Sequence, residues 1–96
     1  MNRQYNTDHI RNVAKGLRFN AGEVGASADE ISRARFVMEG TLKGKTADKL
    51  RQELGELHRD MLTLSDGLSG MQRELFAIAR RLDDADRAAS AEIKRK

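Results

Sequence analysis

Two histidines, three clustered aspartates and a glycine-rich turn are the places where this chain has residue types suited to chemistry. His9 and His58 are the only imidazoles, and neither sits in the HExxH frame that puts two metal-binding nitrogens and a general base on one helix face. Asp83, Asp84 and Asp86 supply three carboxylates within one helical turn, where they point in different directions and lack the loop geometry of a calcium site. Arg80, Arg81 and Arg87 beside them account for the acids as surface partners. Gly40, Gly44, Lys45 and Thr46 have the residue types of a phosphate loop, yet no strand precedes them and the GxxxxGK[ST] frame is missing. The hydroxyls, Tyr5 included, lack an adjacent base and orienting group. The expectation is a non-enzymatic chain with no catalytic residue, metal or cofactor.

The scaffold around these residues reads as helix. Ninety-six residues allow one domain, and they include no Pro, no Cys and 34% charged side chains. Absence of Cys removes disulfides, thiolate chemistry and Cys-based zinc sites. Nothing approaches the roughly 20 consecutive apolar residues of a membrane span. The N-terminus has no apolar core after its charge, so an ordinary cleavable signal is not expected. The net charge of +3 is spread along the chain with the signs interspersed, and there are only four aromatics, so no basic face for nucleic acid is expected. The basic tip Ile93-Lys94-Arg95-Lys96 suits a helix C-terminus.

Residues 1–6 read as a short disordered lead, after which Asn6, Thr7 or Asp8 is placed to cap a first helix over about 8–39. Its apolar seam is Ile10, Val13, Leu17, Val24, Ile31, Ala34 and Met38, with Asn20 and Ser27 filling the gaps. Gly16, Gly22 and Gly25 weaken that helix or admit a close neighbour. A turn over 40–46 follows, with Thr46 as the expected N-cap of a second helix over about 47–90. There the seam is regular: Leu50, Leu54, Leu57, Met61, Leu64, Leu68, Met71, Leu75, Ile78, Leu82, Ala85 and Ala89 alternate four and three apart. The fold class is all-α, an antiparallel two-helix hairpin spanning 1–96, with Gly67 and Gly70 as a possible bend. So thin a core calls for a partner. Phe19 and Val37 share one direction off the first seam, and Leu62 and Phe76 form a ridge off the second; these four are the expected partner interface, dimerising the hairpin into a four-helix bundle.

From the turn onward, Leu42-Lys43-Gly44-Lys45-Thr46-Ala47-Asp48-Lys49-Leu50 resembles the central signature of the WXG, or early secreted antigenic target, family of helical-hairpin proteins. Gly44 matches the glycine of Trp-x-Gly, Ala47 a small position and Leu50 the aromatic that opens the second helix, while Leu42 stands where the tryptophan does, as in LXG relatives. Leu42 is expected to fold over the hairpin end as an apolar plug. Family members or their partners carry Tyr-x-x-x-Asp/Glu near the end of the second helix; Leu82-Asp83-Asp84-Ala85-Asp86 keeps the acid without the tyrosine, which makes Leu82 and Asp86 a possible export signal. The resemblance implies a type VII secretion-associated protein, leaving by a non-classical route or cytoplasmic before export. Its implied partners are itself or a second hairpin, a larger effector, and the secretion ATPase, with no nucleic acid and no membrane insertion. The rival readings are a cytosolic coiled-coil adaptor or chaperone, and a needle-type filament subunit.

Overall fold

A computed structural model describes residues 7–95, and two helices take up all of them except the connection at 42–44. α1 runs Thr7–Thr41 and α2 runs Lys45–Arg95, packed antiparallel as a hairpin with principal extents of 79 × 15 × 14 Å. The expected lead at 1–6 and the final Lys96 lie outside the described residues. Both helices outrun the sequence expectation: α1 passes through Gly40, and α2 passes position 90. At 1.5 Å per residue, the 51 residues of α2 make a rod of about 77 Å, close to the full 79 Å extent. The length leaves no room for a sharp bend at Gly67 and Gly70.

The connection is tighter than seven residues. The Leu42 amide still donates to the Met38 carbonyl at 2.9 Å, closing α1, and the Asp48 amide donates to the Gly44 carbonyl at 3.0 Å, opening α2. Gly44 is therefore the residue that caps α2, and Thr46 lies inside the helix. Gly44 has φ of +103°, a backbone region that an L side chain enters only with strain. A guanidinium secures the corner: Arg51 donates to the Leu42 carbonyl at 3.1 Å and also pairs with Asp48. Leu42 is 47% exposed and so is no plug; the side chain buried at this end is Ala47.

The helices meet through small residues. Thr7, Ala14, Ala21 and Ala28, one every seventh position, are the buried residues of α1, and Ala79 is fully buried on α2. A row of alanines lets two backbones approach closely, because interaxial distance follows side-chain size at the contact. Ser65 shows how close: its hydroxyl donates across the interface to the Ala21 carbonyl at 2.9 Å and lies 3.7 Å from where a Cβ on Gly25 would stand. Near the turn, the Arg35 guanidinium lies over Gly55, 3.2 Å from the corresponding Cβ position. Position 25 thus faces 65 and position 35 faces 55, setting the register of the whole hairpin.

Candidate interaction face

The apolar seams border the contact between the two helices and do not fill its centre, where the sequence expectation placed them. Leu50, Leu57, Leu64, Met71 and Ile78, five of the twelve seam residues of α2, are 36–52% exposed. In their place Arg51, His58, Ser65, Gln72, Ala79 and Asp86 turn toward α1 and are half-buried or buried. The cause is the alanine row. The small side chains of α1 bring the α2 backbone close, and the large apolar side chains straddle the groove with only part of their surface covered.

Helical geometry places both sets of large side chains on the same side. On α1 the row Ile10, Leu17, Val24, Ile31 and Met38 lies about 50° to one side of the buried alanines, and the row containing Arg11 and Gly25 lies about 50° to the other. Arg11 reaches Asp83 at 2.5 Å, so its row shares a side with the α2 row of Gly55, Leu62, Ser69, Phe76 and Asp83. The opposite side of the groove is then shared by Ile10 to Met38 and by Leu54, Met61, Leu68, Leu75 and Leu82 of α2, all half-buried. Next to these on α2 stand the exposed Leu50, Leu57, Leu64, Met71 and Ile78, and next to these on α1 stands Val13, 44% exposed. One flank of the hairpin is a continuous apolar strip.

The strip has an electrostatic border. One step farther round α1 are Glu23 and Glu30, and one step farther round α2 are Glu53, Asp60, Glu74 and Arg81, all exposed. None of the five carboxylates is ion-paired among the described residues. The other flank carries charges of both signs: an α2 row of Arg59, Asp66, Arg73, Arg80 and Arg87, and Asp8, Lys15, Arg18, Asp29 and Glu39 on α1.

The other candidate residues are spread out. Phe19 and Val37, 67% and 62% exposed, lie on the outside of α1, away from α2. Leu62, 41% exposed, and the half-buried Phe76 lie on the Arg11–Asp83 side of α2. The structure does not unite the four into one surface, and Phe36, 76% exposed, is a further lone aromatic. Leu82 and Asp86 are half-buried. Asp83, expected as a solvated acid, is instead a tertiary anchor: the buried Thr7 donates to its Oδ1 at 2.9 Å while Arg11 holds Oδ2. Asp84 pairs with Arg87 as expected of a surface acid. Of the turn residues, Gly44 and Ala47 have defined structural roles, whereas Leu42 and the 41%-exposed Leu50 are open to solvent.

His9 is exposed and His58 half-buried, and they lie far apart along the rod. Among the described residues no three His, Cys, Asp or Glu side chains are grouped to hold a metal, and no helix is long and apolar enough to cross a membrane. The surface depressions at Ser32, Arg33, Phe36 and Val37 and at Gln72, Arg73, Phe76, Ala77, Arg80 and Arg81 are each lined by a single helix.

Fold and face together describe an antiparallel helical hairpin with a one-sided apolar strip. Comparison with family models, curated proteins and solved structures finds no match to this chain.

Proposed function

We propose that this chain is an assembly protein, a non-enzymatic helical hairpin that works by covering its apolar strip with another helical protein. The observation that carries the reading is the extent of the strip. From Leu50 to Ala85 it runs about 50 Å along α2, and two adjoining helices make it about 20 Å wide. That is on the order of 1,000 Å² for one partner, comparable with the roughly 800 Å² per side of a standard stable interface. A monomer seldom leaves so large a contiguous apolar patch in water.

Within that class, the reading is a type VII secretion-associated hairpin, exported with a partner or escorting a larger effector. It rests on the hairpin architecture, on Gly44 at the Trp-x-Gly position with its positive φ, and on the strip. In a strain with an active type VII system, the protein should be recovered from culture supernatant, and Leu57→Asp with Leu64→Asp should abolish recovery while leaving circular dichroism of the purified chain helical. Retention of the unmodified chain inside those cells would overturn the secretion reading. A cytosolic coiled-coil adaptor is the second reading, favoured by one observation: Leu82 and Asp86 are half-buried and so poorly placed as a free export signal.

A further inference from the structure

The strip is flanked on both edges by carboxylates, Glu23 and Glu30 on α1 and Glu53, Asp60 and Glu74 on α2, with Arg81 following them on the α2 edge. Two copies of the chain stacking strip to strip must obey a two-fold axis lying in the interface. An axis along the rod lays the α1 edge of one copy against the α2 edge of the other. Because position 25 faces 65 and 35 faces 55 in each hairpin, Glu30 of one copy then stands level with Asp60 of the next. An axis across the rod lays each edge against its own copy; centred on Glu23 it sets Glu23 against Glu23 and Asp60 near Glu74, with Glu53 opposite Arg81. Each edge carries a net negative charge, so stacking strip to strip brings two acidic borders together along an interface whose centre is apolar.

Resting on the reading of the strip as an interface, we propose that its occupant is not a second copy of this chain but a different amphipathic helical protein, whose apolar stripe is bordered by Lys and Arg. Such borders lie over Glu23 and Glu30 on one edge and over Glu53, Asp60 and Glu74 on the other. The apolar stripe supplies the burial, and the charged edges select the partner and speed its encounter while opposing self-association.

The test uses the full chain and two designed helical hairpins with the same Leu/Ile stripe, one bordered by Lys and the other by Glu. Sedimentation of the chain alone at low salt should show a monomer. The Lys-bordered hairpin should bind at least about tenfold tighter than its Glu-bordered twin, and the gap should close to within about threefold near 1 M salt, where the screening length falls to about 3 Å. Glu30→Lys with Asp60→Lys, which brings the border from a net −4 to zero, should erase the preference. Equal binding of the two hairpins at low salt, or a dimer of the chain alone that Leu64→Glu dissociates, would overturn the proposal while leaving the strip an interface. If neither hairpin binds and the chain stays monomeric, the assembly reading itself fails, and this inference with it.

Discussion

Asp83 and Gly44 show how much single positions matter in a rod with so little buried volume. Asp83 accepts hydrogen bonds from Thr7 and Arg11 across the open end of the hairpin, and its side chain is 19% exposed. Removing a charged acceptor that satisfies a buried hydroxyl costs on the order of 1–3 kcal/mol. Asp83→Ala should accordingly lower the thermal midpoint, whereas Asp84→Ala, which touches only the exposed pair with Arg87, should change the unfolding free energy by less than about 0.5 kcal/mol. At the other end, Gly44→Ala forces a Cβ into φ of +103° and should cost about 1–2 kcal/mol, while Thr46→Ala should be nearly silent because Thr46 does not cap α2. Equal effects of those two substitutions in chemical denaturation would refute the assignment of the cap.

For the helices themselves, the alanine row is the feature to perturb. Ala21 is 5% exposed and its carbonyl accepts from the hydroxyl of Ser65, so Ala21→Leu inserts a large side chain into a covered part of the helix contact. Overpacking of this kind costs about 1–3 kcal/mol, and here it also breaks the Ser65 bond to the backbone. The opposite sign is expected at Gly67, where an added Cβ meets nothing within 4 Å and the backbone is ordinary helix. Gly67→Ala should stabilise α2 by up to about 1 kcal/mol, read as a higher urea midpoint. A destabilised Gly67→Ala variant would mean that the rod needs a bend there.

Taken as a rod, the hairpin buries little besides alanine, and most of its leucine, isoleucine and methionine surface is half-covered or open. A lone copy should therefore be helical but of low stability, and a bound partner should raise its melting temperature in proportion to the logarithm of partner concentration. Leu57→Asp with Leu64→Asp removes two members of the exposed row, 47% and 52% open, at little cost to the free hairpin. Titration calorimetry should show that this pair weakens partner binding at least about tenfold, while Phe19→Ala, on the outside of α1, leaves it within about twofold. The reverse ranking would transfer the interface to the scattered aromatics.

Much of this architecture could be read without coordinates. The absence of Pro, the three-four spacing from Ile10 to Met38 and from Leu50 to Ala89, and the break at Gly44 are local signals, and local signals suffice for two helices and a reversal. Which stripe faces inward is different in kind. Leu50 and Leu57 carry as strong a periodic signal as Leu54 and Met61, and hydrophobicity favours burying both rows. Ala14, Ala21, Ala28 and Ala79 decide the matter, since their value lies in allowing a close approach that no propensity or hydropathy scale rewards. That choice rotates the large side chains onto one flank, pulls Asp83 onto Thr7 and Arg11, and leaves Glu23, Glu30, Glu53, Asp60 and Glu74 beside the apolar strip. The amino-acid order settles that there are two helices and where the chain turns; the packing of one backbone against the other settles which side of the rod is left to be covered.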